Sequence, residues 1–132
     1  MEHTADVGIR AWGESLGEAF RNCALGMMSL MLDLDKVGRE KRVWVEAEAE
    51  DLEALLVSWL SEILFYVEAE GFAFAWFEDV EIEGGKAAAW GWGEELDPER
   101  HGLKLEVKAP TYHGLRLEER EGGWTAQVIF DV

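Results

Sequence analysis

Residues 51–96 read DLEALLVSWLSEILFYVEAEGFAFAWFEDVEIEGGKAAAWGWGEEL, and they hold both patterns that decide the fold class. Asp51 stands where an N-cap belongs, its carboxylate placed to accept from backbone N–H groups that a first helical turn leaves unpaired. The segment LEALLVSWLSEILFYVEAEG is apolar round most of its circumference, which predicts a helix more deeply buried than any other element. Gly71 closes it. The period then drops to two: FAFAWFEDVEIE turns at Gly84-Gly85 into KAAAWGWGEEL, the signature of a β-hairpin.

The same reading extends outward in both directions. TADVGIRAWG places Val7, Ile9 and Ala11 on one face and predicts a strand. In ESLGEAFRNCALGMMSLMLD, Ser15 and Glu18 form an S-x-x-E capping box. Leu16, Phe20, Cys23, Met27, Leu30 and Leu34 then recur at helical spacing, so this helix lays one stripe on a core. After the charged break DKVGREK, RVWVEAEAE alternates Val43, Val45, Ala47 and Ala49 with Trp44, Glu46, Glu48 and Glu50. That is a half-buried strand with an acidic outer face. Downstream, DPERHG predicts a loop, LKLEVKA and GLRLEER two strands, and Gly122-Gly123 a turn into the last strand, WTAQVIFDV. Helices early and consecutive strands late predict an α+β fold: one domain over residues 1–132, with largely antiparallel β-sheets and two amphipathic helices. The β-α-β-α opening leaves a parallel strand pair as an alternative topology.

Composition narrows the function classes. A chain of 132 residues with 48% hydrophobic and 30% charged content is an ordinary globular domain. It carries 28 acidic against 12 basic residues, a formal net charge of −16. Such a surface repels nucleic-acid phosphates and anionic lipids, and attracts cations or a basic protein. Direct nucleic-acid binding and membrane association are therefore not expected. Cys23 has no partner for an internal disulfide, and the apolar run LEALLVSWLSEILFYV is broken by Glu53 and Glu62. No basic n-region or apolar h-region opens the chain, so the expected setting is cytoplasmic.

No motif for nucleophilic or phosphate-loop chemistry is present, and Ser15, Ser29, Ser58 and Ser61 all fall on helical segments. His3, His101 and His113 with Asp6 have the right chemistry for zinc, but their spacing gives no support for such a site. Trp76, Trp90 and Trp92 lie beside Gly and Ala, where aromatics pack over small residues, so core packing is expected of them rather than base stacking. The chain ends are more suggestive. Asp6 lies in an apolar strand, where burying an uncompensated carboxylate is costly, Asp131 follows VIF in an equally poor place for a bare charge, and Val132 brings a carboxylate of its own. If the first and last strands lie side by side, these groups converge and repel unless a cation joins them. Hard oxygen donors favour calcium or magnesium over zinc. Salt-bridged or frayed ends are the alternative.

Taken together and in order, HTADVGIRAWG, DLEALLVSWLSEIL, WGWGEEL, KAPTYHGL and WTAQVIFDV resemble the archease family from residue 3 to residue 132. That resemblance implies a non-catalytic accessory protein of the RtcB-type GTP-dependent RNA ligase of tRNA splicing. It would promote guanylylation of the ligase and multiple turnover. For some members the resemblance implies chaperone-like modulation of a tRNA methyltransferase. It also implies a divalent-metal site, with calcium foremost and magnesium or manganese as alternatives, held by Asp6, Asp131 and Val132. The same motifs nominate His3, Lys108 and His113 for partner contact. A small metal-dependent phosphoester hydrolase is the rival from another class.

Overall fold

A computed structural model describes residues 6–132. The elements are β1 (Asp6–Gly13), α1 (Leu16–Met31), a 3-10 turn (Leu34–Lys36), β2 (Lys41–Glu48), α2 (Leu52–Glu70), β3 (Phe72–Glu83), β4 (Lys86–Glu95), α3 (Pro98–His101), β5 (Ala109–Arg120) and β6 (Gly123–Asp131). They form an α+β domain of two three-stranded sheets, ordered β1-β6-β5 and β2-β4-β3, in which every neighbouring pair is antiparallel. Among the described residues this excludes the alternative of a parallel pair. Both helices touch both sheets: α1 packs on β1 and β6 of the first and β3 of the second, α2 on β5 and β2.

Local chemistry places these elements where the pattern puts them. Ser15 Oγ accepts from the Glu18 N–H at 3.1 Å, while the Glu18 carboxylate reaches the Glu14 N–H rather than that of Ser15. Asp51 caps α2 through the Ala54 N–H at 2.8 Å, and Gly71 ends it in the left-handed region. Both tight hairpins use two-residue turns whose central residues have positive φ: Gly84-Gly85 and Glu121-Gly122. That backbone matches the right-handed twist of the flanking strands. The second turn thus sits one residue before the predicted Gly122-Gly123, and Gly123 opens β6. The stripe of α1 is wider than the heptad-like reading, with Ala19, Ala24 and Met28 joining Phe20, Cys23 and Met27. Burial pushes the Cys23 thiol up to about 12, so it is a packed core group.

Four expectations are corrected. LKLEVKA is not a strand. Lys104 and Leu105 donate their N–H groups to Met31 O and Leu30 O at 2.7 and 3.2 Å, so this segment caps the C-terminal carbonyls of α1 instead of a sheet edge. DPERHG contains a helical turn, α3, because Asp97 accepts from the Glu99 and Arg100 N–H groups. Helix α2 buries seven residues over a longer span than the seven of α1, and Phe65 on its outer side is 55% exposed. It is not the most buried element. Trp76, Trp90 and Trp92 are half-buried on the outer face of the second sheet, not in the core. Arg21 and Arg39 stack on Trp76, Arg42 stacks on Trp90, and Trp92 donates to Glu78 at 2.7 Å. The arginines supply the cover a second layer would give.

A buried polar hub holds the loops at the far end. His101 is fully buried, and its Nδ1 accepts the Asp97 N–H at 3.0 Å. Its Nε2 therefore carries the proton and donates to Glu94 at 2.8 Å. Glu94 also accepts from the Gly38 N–H and pairs with Arg100. The Gly38 N–H first, then His101 and Arg100, hold the Glu94 carboxyl below its ordinary value of 4.5. A carboxylate with a lowered folded pKa stabilises the fold fully above the unfolded range, and that stabilisation is lost as pH falls through the folded value. The melting midpoint of Glu94→Gln should therefore lie below that of the wild type at neutral pH. The gap should close as pH drops below about 4.5. Parallel midpoint-against-pH curves for the two proteins would refute this assignment.

Candidate functional site

The first and last strands pair residue for residue from Asp6 opposite Asp131 to Gly13 opposite Trp124. Alternation along β1 and β6 turns Val7, Ile9, Phe130 and Val128 inward, towards α1. Asp6 and Asp131 share the other face, at the end of the sheet. Asp6 is exposed and Asp131 partly so. Neither is therefore a carboxylate buried in an apolar strand, and the desolvation argument made from sequence does not hold. The other half of that reading rests on the strand pairing, which the register supplies: two like charges directly opposite each other on one face of an antiparallel pair repel.

The surroundings offer oxygen donors. Val132 follows Asp131 directly. The main-chain oxygen of Asp131 accepts the Lys108 N–H at 2.8 Å, which ties the entry of β5 to this end of the sheet. Ala109 is the register partner of Asp131 on β5. Among the described residues no group of three or more His, Cys, Asp or Glu side chains forms a ready-made metal cage. What the described residues bring together is two carboxylates, Asp6 and Asp131, on a solvent-facing surface. That chemistry fits a hard divalent cation and does not fit zinc.

The other nominated residues separate. Lys108 is brought to the pair through its backbone, with its side chain exposed. His113 is exposed and lies four residues beyond Ala109, inside the break in β5 register between Thr111 and Arg116. The structure does not bring it to Asp6 and Asp131. Thr111 is structural, its hydroxyl donating to Ile129 O at 3.0 Å across that break, and Pro110 sits on the edge strand just before it. Tyr112 is 62% exposed. His3 lies outside the described residues. His101 has both ring nitrogens engaged in the Glu94 hub, which removes it from any zinc set.

Sequence reasoning missed a second feature of the same sheet face. Arg10, Trp12, Arg116 and Arg120 share the outer surface with Gln127 and line a cleft of about 500 Å³. The signal was present: Arg10 and Trp12 alternate with Ile9 and Ala11, and Arg116, Glu118 and Arg120 with Leu115 and Leu117.

The chain matches the model of the Archease protein family over residues 1–132. It is 45% identical to the protein archease of Pyrococcus abyssi, covering 99% of this chain and 95% of that one. It is 42% identical to that of Methanosarcina mazei, covering 100% and 93%. Its fold resembles the solution structure of Methanobacterium thermoautotrophicum protein 1598, with a TM-score of 0.80, 32% identity, and 100% and 96% of the two chains covered. The crystal structure of an archease, possible chaperone, from Thermotoga maritima shares the fold at a TM-score of 0.67 and 19% identity, covering 100% and 94%. No helix among the described residues is long and apolar enough to cross a membrane. A match spanning the full length at these identities has one reading: the chain belongs to the archease family.

Proposed function

We propose that this protein is an accessory activator of an RtcB-type GTP-dependent RNA ligase in tRNA splicing, and not itself the catalyst. Family membership over the whole chain supports this reading, and the meeting of Asp6 with Asp131 on one exposed sheet end is the observation that carries it. Those two carboxylates and the carboxylate of Val132 would hold a divalent cation, calcium foremost, with magnesium or manganese as alternatives. Bound there, the ion would neutralise the acidic pair and present coordination positions to oxygen groups of a partner. The chain's own contribution is positional: a rigid strand pair carries the acidic edge into a transient complex with the ligase. There it would help order groups for guanylylation, with Lys108 and the exposed His113 at the margins and His3 as a further contact. The setting is cytoplasmic.

The test is a ligation time course with the cognate ligase held well below the RNA concentration, with GTP. Added protein is expected to convert a stalled single turnover into many turnovers; superimposable curves would overturn the reading. A peptide tag fused after Val132 turns its carboxylate into an amide, and is expected to weaken both metal binding and stimulation. Undiminished stimulation by the tagged protein would remove Val132 from the ligand set. The rival reading, a metal-dependent phosphoester hydrolase, requires the isolated protein to cleave phosphoesters with magnesium, manganese or calcium. Chaperone-like modulation of a tRNA methyltransferase would instead show as rescue of that enzyme without any change in ligation.

A further inference from the structure

The cleft on the outer face of β1-β6-β5 is a local exception on an acidic protein. Arg10, Arg116 and Arg120 face it against a single carboxylate, Glu118, leaving it two charges positive in a chain of net charge −16. Glu118 is held by Arg120 at 2.9 Å. Among the described residues neither Arg10 nor Arg116 has a carboxylate at ion-pair distance. Arg10 is aimed by Gln127, whose Oε1 accepts from its Nε at 3.1 Å while its Nε2 is anchored on Gly114 O at 2.9 Å. Arg10 and Arg116 are both register partners of Gln127, so one row across three strands carries two guanidiniums.

Beside that row lies an aromatic platform. Trp12 is 48% exposed, and its backbone oxygen is fixed by the Asn22 amide of α1 at 2.7 Å. Its indole lies against Gly123, where a Cβ would come within 2.7 Å of the ring. A glycine there gives the ring a backing, and its exposure leaves surface for a planar partner. A cleft of about 500 Å³ suits a small ligand rather than a long chain. The net field opposes an extended polyanion, but beyond about 8 Å that field is screened at physiological salt, so a compact ligand responds first to the guanidiniums it touches.

We propose that this cleft binds a free nucleoside phosphate, its base stacked on Trp12 and its phosphates held by Arg10 and Arg116. The site is distinct from the Asp6–Asp131 end and does not depend on the function proposed above. The test is calorimetric titration with ADP in the presence of EDTA, which keeps any divalent site out of the measurement. ADP is expected to saturate with a dissociation constant between about 10 μM and 1 mM. Arg116→Ala and Arg10→Ala should each weaken it about tenfold or more. Trp12→Ala should weaken it about fivefold or more, and Trp12→Phe should restore most of that loss. These side chains lie on the solvent face, and unchanged melting curves will show that the variants fold. Pyrophosphate should bind at least about fivefold more weakly than ADP, since it forgoes stacking. Absence of saturation by about 5 mM ADP would overturn the proposal, as would variants that bind ADP like the wild type. Equal affinity for pyrophosphate would refute the platform. A single-stranded RNA dodecamer binding more tightly than ADP would show that the source of phosphate is a strand, not a free nucleotide.

Discussion

Trp59→Ala is expected to lower the stability of the fold by about 3–5 kcal/mol, the largest loss from any single truncation in this core. Trp59 lies on α2 and is completely buried. Its indole N–H donates to the Phe20 carbonyl of α1 at 3.2 Å, and its ring meets Phe77 of β3 edge-on with centroids 5.5 Å apart. One side chain therefore joins the two helices to the second sheet. Trp59→Phe keeps most of the apolar volume and loses the hydrogen bond, so its cost should be nearer 1–2 kcal/mol, roughly. Urea unfolding followed by circular dichroism measures both. A loss below about 1 kcal/mol for the alanine variant would mean that the helix pair is held elsewhere.

The elements legible in the sequence are those fixed by local chemistry. Ser15 and Asp51 as caps, Gly71 as a stop and Gly84-Gly85 as a turn each act within a few residues of themselves, and each acts as read. Where the decision belongs to a distant group, the reading fails. LKLEVKA alternates like a strand, but the Lys104 and Leu105 donors are claimed by the end of α1, some seventy residues earlier in the chain. Trp76, Trp90 and Trp92 look like core residues because burial is what large aromatics usually find. Here stacked arginines from Arg21, Arg39 and Arg42 cover them in place of a second layer.

The candidate site divides the same way. The convergence of Asp6 and Asp131 depends on one topological fact, the pairing of β1 with β6, which chemistry at the two ends suggested and the register supplies. The reason first given for their importance, burial in apolar strands, fails because alternation puts both on the solvent side. The arginine cleft was hidden for a related reason: its residues come from three strands, and none carries a motif alone.

Asp6→Ala and Asp131→Ala are each expected to return ligase turnover to the level seen without this protein, while leaving the fold intact. Neither side chain packs in the core, and the main-chain bond from Lys108 to Asp131 O survives the substitution. Without metal, each variant should be at least as stable as the wild type, since removing one of two opposed carboxylates relieves repulsion. With calcium at about 100 times its dissociation constant, the wild type alone should gain about 2.7 kcal/mol, because the proposed site exists only in the folded strand pair. Calcium affinity should fall by at least about 100-fold in both variants, more than the loss of a mere supporting contact to a ligand. The sign reversal is what separates a cation site from a structural role: a structural carboxylate would destabilise when removed, with or without the ion. Melting curves with and without calcium, set beside ligation time courses for the same proteins, give the answer. Variants that still stimulate the ligase fully would show that the acidic strand end is not the working surface.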